Sequence, residues 1–192
     1  MNSENLKGKI KQCIVCSTHL ELGPKPVVSF SRRSKIVIIG QAPGLAVHRS
    51  GVPWDDPSGV NLRKWLGVSS KEFYEPDLFA IVPMGFCYPG KGKSGDLPPR
   101  PECAPLWHNE IISTLSNVEL TLLIGSYAQK YYLKSKLMGS LTHTVESYLD
   151  YLPKYFVLPH PSPRNNIWMS KNPWFKKEVI PKLQSLTKKI LA

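Results

Sequence analysis

The chain has 192 residues, and its 25 Lys and Arg against 14 Asp and Glu give a formal charge of +11 and a pI near 9.5. With 42% hydrophobic and 20% charged residues and a mean hydropathy of −0.20, the composition suits a chain with its own core and excludes a disordered tail or a membrane protein. The length predicts one domain over residues 1–192, burying about 70% of its unfolded surface without a disulfide framework.

Residues 1–12 are polar and lysine-rich with no apolar signal core, so a cytoplasmic address is expected. Four apolar, β-branched runs read as buried strands: 35–40, 77–82, 120–125 and 155–158. None approaches the roughly 18 apolar residues that span a bilayer. Helical patterns follow at 58–66, 101–115, 126–133 and 173–191, the last with Phe175, Val179, Leu183, Leu186 and Ile190 at helical spacing. A helix in the connection after each strand is the signature of right-handed crossovers. The predicted fold is α/β: a three-layer α/β/α sandwich around a central, mostly parallel four-stranded sheet. In such a sheet the site lies beyond the carboxyl ends of the strands.

After the first strand come Gly40-Gln41-Ala42-Pro43-Gly44 and Pro53-Trp54-Asp55-Asp56-Pro57-Ser58-Gly59. Glycine and proline at these offsets make a rigid turn whose backbone N–H groups can face a ligand; a plain strand-to-helix turn has the same composition. It is neither G-x-G-x-x-G nor a Walker loop, so no nucleotide cofactor is implied. Trp54, on a loop beside two carboxylates, is either a stacking platform or a core residue. Past the third strand, Gly125-Ser126-Tyr127 is a candidate phosphate contact. After the fourth, Pro159-His160-Pro161-Ser162-Pro163-Arg164 is a stiff loop that presents His160 and Arg164. An imidazole there can donate to a developing anion or move a proton; a structural histidine is the competing reading.

Cys13 and Cys16 form a C-x2-C pair, and Cys87 and Cys103 are separated by fifteen residues rich in Gly, Pro, Lys and Arg. Two such pairs supply four thiolates, suited to a tetrahedral zinc or a cubane iron–sulfur cluster. Four reduced, buried cysteines is the plainer alternative.

Together these segments resemble the uracil-DNA glycosylase superfamily, most closely its iron–sulfur branches, families four and five. The resemblance spans nearly the whole chain, through Cys13-x-x-Cys16, Gly40-Gln41-Ala42-Pro43-Gly44, Ser50-Gly51-x-Pro53-Trp54, Pro57-Ser58-Gly59, Cys87-x15-Cys103, Gly125-Ser126 and His160-Pro161-Ser162-Pro163. It implies a 4Fe–4S cluster on Cys13, Cys16, Cys87 and Cys103, with zinc as the alternative. The chain departs from family four in having Gln41 for Glu and Trp54 for Phe. Ala42 stands where the classical enzymes have a catalytic Asp, and Pro83 where many relatives have an Asn that reads the uracil edge.

The implied activity is that of a monofunctional DNA glycosylase of base excision repair, hydrolysing the N-glycosidic bond of uracil or another deaminated base flipped out of DNA. In that reading Gly40, Ala42 and Trp54 bind the base, and His160, Gln41, Asp55 and Asp56 are the catalytic candidates. Ser58, Lys91, Lys93, Arg100, Ser126, Ser162 and Arg164 are candidate DNA contacts, with Ile167 or Trp168 as the wedge that fills the gap in the stack. The expected partner is DNA containing a damaged base, the chain acting as a monomer. A non-catalytic lesion- or nucleic-acid-binding module that keeps the fold and cluster is the alternative, and a small-molecule α/β enzyme is a third.

Overall fold

Runs such as Ile36-Val37-Ile38-Ile39 carry apolar side chains on both faces, so they are stable only where helices cover both sides of the sheet. The computed structural model describes residues 3–192, and Met1 and Asn2 of the polar start lie outside the described residues. It places β1 (Ile36–Ile39), β2 (Phe79–Ile81), β3 (Leu120–Ile124) and β4 (Tyr155–Leu158) in one sheet, in the order β2-β1-β3-β4. Every pairing is parallel: Val37 stands opposite Ala80 and Thr121, and Leu122 opposite Phe156. The exposed side of β2 is capped by a bridge, Ser29 and Ile81 exchanging backbone bonds of 3.0 and 2.6 Å.

The helices are α1 (Ser3–Lys11), α2 (Leu45–Ser50), α3 (Pro57–Leu66), α4 (Ser70–Phe73), α5 (Cys103–Thr114), α6 (Gly125–Leu133), α7 (Leu141–Glu146), α8 (Asn166–Lys171) and α9 (Ile180–Leu191). They cover both sides of the sheet, α1 packing on α5 and α3 on α9. The expected four-stranded α/β/α sandwich is therefore the observed one. Short helices at α1, α2, α4, α7 and α8 add to the four long patterns read from the sequence. Each spans one to three turns, too few to show a clear period; α4, for example, is held by a capping box between Ser69 and Glu72.

The last helical pattern is not uniform. Residues Phe175–Val179 wind as a π-helix before α9, where Pro181 lacks the N–H that a continuous α-helix would use. Phe175 is fully buried between Trp65 and Trp168, with ring centroids 5.0 and 5.4 Å away. Burying such a side chain contributes about 1.5–3 kcal/mol. Among the described residues, no helix is long and apolar enough to cross a membrane.

Candidate active site at the strand ends

A pocket opens beyond the carboxyl ends of β1, β2 and β4. Its wall includes Gly40, Gln41, Ala42, Trp54, Asp56 and His160, drawn from both glycine-rich segments after β1 and from the proline-rich loop after β4. The Trp54 and His160 rings stand 5.7 Å apart, tilted by 32°.

Three local features fix Trp54. Its φ of 57° lies in the left-handed region, where a bulky residue is strained. A Cβ on Gly40 would lie 2.7 Å from its Cζ2, and one on Gly59 would lie 1.8 Å from its carbonyl oxygen. Gly59 admits no side chain, and one on Gly40 would have to displace the ring, so both glycines serve the placement of Trp54. Trp54 packs against the core as well as lining the pocket, so the two readings of this residue are compatible.

His160 is held by its backbone. Asn165 Nδ2 donates to its carbonyl at 2.7 Å, and Asn61 Nδ2, from α3, donates to the Pro161 carbonyl at 2.9 Å. Burial lowers the imidazole pKa below its ordinary value, and the charge of Asp56 opposes this only in part. The ring is therefore neutral near pH 7.

The two neighbouring carboxylates part company. Asp56 lines the pocket and caps α3, its Oδ1 accepting from Gly59 N–H at 2.8 Å. Asp55 is exposed, is absent from the wall, and sets its charge against Tyr74. The pairing of Asp55 with Asp56 as catalytic candidates thus reduces to Asp56, because the turn into α3 aims successive side chains apart. Gln41 and Ala42 line the pocket, and the Gln41 carbonyl accepts from Gly85 N–H at 3.0 Å.

A wider groove leaves the pocket between residues 89–97 and residues 162–164, and brings together Ser58, Lys91, Ser162 and Arg164. Asp96 also lines it, a negative charge the basic composition did not foretell. Three other expected DNA contacts lie elsewhere. Lys93 and Ser126 are exposed outside the groove wall, and Arg100 pairs with Glu102 at 2.5 Å beside the cysteines. Trp168 is half-buried and packed against the core: its Nε1–H donates to Thr142 Oγ1 at 2.9 Å and its ring packs on Trp174 and Phe175. Of the two residues expected as a wedge, Ile167 is the exposed one, at 71%.

All four cysteines, Cys13, Cys16, Cys87 and Cys103, are free thiols on the wall of one small cavity. Burial above all raises the pKa of Cys87 to about 11 and that of Cys103 to about 12, and raises that of Cys16 as well. Phe86 N–H donates to Cys103 Sγ at 3.3 Å. The Nε1–H of Trp107, another wall residue, is buried without a partner. Among the described residues, no three His, Cys, Asp or Glu side chains meet the geometry of a bound ion as they stand. The donor set fits a thiolate-bound group in kind: four reduced sulfurs on one apolar cavity, with an unused N–H beside them.

Asn61 and Asn165, which hold the His160 loop, are supporting residues that sequence reasoning missed. Nothing in their sequence surroundings marks them, because each acts through a contact made at long range or through the backbone.

A model described as the uracil DNA glycosylase superfamily matches residues 28–184. The match includes Cys87 and Cys103 and begins after Cys13 and Cys16. Among solved structures, the crystal structure of WT Pedobacter heparinus SMUG2 is similar at 16% identity and a TM-score of 0.45, over 82% of this chain and 76% of that chain.

Proposed function

Since the chain belongs to the uracil DNA glycosylase superfamily, we propose that it is a monofunctional DNA glycosylase that hydrolyses the N-glycosidic bond of uracil or another deaminated base flipped out of DNA, as a step of base excision repair. The observation that carries this reading is the Trp54–His160 pair, two rings 5.7 Å apart on the wall of a pocket that Asp56 also lines.

A flipped base stacks on Trp54, a contact worth about 1–3 kcal/mol. As the bond from the base nitrogen to C1′ breaks, its electron pair moves onto the base and the sugar becomes cationic. The neutral His160 ring donates to the base oxygen as this charge develops, and loss of one such donor costs about 3–4 kcal/mol. Asp56 spends one carboxylate oxygen on the cap of α3. The other is available to stabilise the cationic sugar or to take a proton from the attacking water, whose oxygen forms the new bond to C1′, the released base anion being protonated from solvent. Ser58, Lys91, Ser162 and Arg164 along the groove support DNA as the partner.

The four cysteines are proposed to hold a 4Fe–4S cluster, zinc being the alternative. When bound, the group serves as a structural cross-link, tying residues 13–16 to both ends of the 87–103 segment. The shared cavity and the unused Trp107 N–H support this assignment.

The test is incubation of metal-loaded protein with oligonucleotides carrying uracil, hypoxanthine or xanthine, followed by alkali. The expected result is strand cleavage at one or more of these bases, reduced on the order of 100-fold or more in His160→Ala. Absence of abasic product on every base overturns the enzyme reading. Salt-dependent binding without base release would instead identify a lesion-binding module, the reading that Ala42 and Pro83 on the pocket wall favour.

A further inference from the structure

The base pocket and the four-cysteine cavity share a wall made of one layer of chain. Pro26 lines the cavity and the next residue, Val27, lines the pocket. On the facing segment Ile81 and Pro83 line the pocket, while Gly85 and Phe86 line the cavity. The two segments are joined by Val27 N–H donating to the Phe86 carbonyl at 2.7 Å and by the Ser29–Ile81 bridge.

Helix α5 clamps this wall from behind with residues that have no part in the chemistry proposed above. Cys103, at its start, receives the Phe86 N–H. One turn on, Trp107 faces the cavity. The next residue, His108, is 1% exposed and stacks on Phe86, with centroids 5.8 Å apart and rings 13° from parallel. Its Nε2 lies 3.0 Å from the Pro83 carbonyl and its Nδ1 lies 2.6 Å from the Tyr132 hydroxyl. A carbonyl only accepts, so Nε2 carries the proton and Nδ1 accepts from Tyr132. That histidine therefore grips the pocket wall at Pro83 while riding on the helix that begins at a cysteine of the cavity.

We propose that His108 is a positioning residue that ties the inner wall of the base pocket to the four-cysteine cavity, so that base recognition depends on that cavity being filled. The proposal rests on the reading above, in which the pocket takes a base and the cysteines hold a cluster or zinc. Its physical route is a short chain of packed and hydrogen-bonded groups: Cys103 to Phe86, Phe86 to His108 and Val27, and His108 to Pro83. Filling the cavity fixes the start of α5, and an ordered α5 holds the wall in register.

The experiment compares wild type, His108→Phe and His108→Gln by elemental analysis, by amide hydrogen exchange of residues 25–29 and 79–86, and by steady-state kinetics. Phenylalanine keeps the stack on Phe86 and loses the bond to Pro83; glutamine restores a donor. With metal content equal to wild type, His108→Phe is expected to speed exchange in both segments on the order of tenfold. It is expected to raise KM about tenfold while kcat stays within about twofold, and His108→Gln is expected to recover much of both. Stripping the metal from wild type should speed exchange in the same two segments. Unchanged exchange and KM in His108→Phe, or segments that stay protected after stripping, overturn the proposal. A wild-type chain that takes up neither iron with sulfide nor zinc defeats the metal reading instead, and elemental analysis alone reveals that before exchange is measured.

Discussion

Gly59 sits so close to Trp54 that a Cβ on it would fall 1.8 Å from the Trp54 carbonyl oxygen. The first turn of α3 is thus pressed against the backbone of a residue that lines the pocket, and Asp56 caps that same turn. Stability of the helix and placement of the ring are one structural problem.

Gly59→Ala is expected to destabilise the fold by about 1–3 kcal/mol or more, since the clash is with backbone and no rotamer relieves it. Gly40→Ala meets only the edge of the Trp54 ring, at 2.7 Å. It should fold with a smaller loss and bind a base poorly. Thermal unfolding and base-release assays on the two variants check this order.

The pH profile of base release should extend below the ordinary histidine range. Burial lowers the His160 pKa, so the neutral donor persists as pH falls past about 6.5. Activity is lost only at lower pH, where a cationic ring would oppose the developing cationic sugar. A kcat/KM profile whose acid limb lies at or above 6.5 contradicts this.

His108 makes stability itself pH-dependent. Burial holds its pKa near 4, below the value of about 6.5 expected when unfolded. The unfolded chain therefore takes up the proton first. This contribution is complete above about pH 6.5 and is lost as pH falls towards 4, by about 3 kcal/mol in all. Denaturant unfolding across this window should show the slope in wild type and a reduced one in His108→Gln.

Asp56 and Asp55 should separate cleanly in mutagenesis. Asp56→Asn keeps an N-cap acceptor and removes the charge, so activity should fall with little change in stability. Asp55→Asn, outside the pocket, should leave both nearly unchanged. Unfolding curves beside single-turnover rates measure the difference.

Binding to DNA should weaken with salt through the groove cations. Lys91→Ala and Arg164→Ala are each expected to lower the slope of log affinity against log salt by about 1, whereas Lys93→Ala lowers it less. Ile167→Ala should weaken capture of a flipped base with the fold intact. Trp168→Ala should destabilise the fold, since it removes a half-buried ring packed on Trp174 and Phe175 and its bond to Thr142.

Much of the architecture was legible in the chain. A continuous β-branched run such as residues 36–39 can only be a strand covered on both faces, and alternation of strands with helices prescribes a parallel sheet with its site at the carboxyl ends. The strongest single marks of the site, the His160 loop and the Trp54 loop, were legible because proline and glycine record backbone demands locally. The short helices were not, since one to three turns leave too little periodicity to read.

The +11 charge, the four cysteines and the order of strands and helices belong to the sequence alone, and so did the expectation of where a site would form. Only the tertiary structure decided which members of each candidate set meet. It put Asp56 in the pocket and Asp55 outside, packed Trp168 against the core and exposed Ile167, and set the pocket back to back with the cysteine cavity. The reason is physical: residue type and spacing are properties of neighbours in the chain, whereas direction and burial are settled by what packs against each residue from far along it.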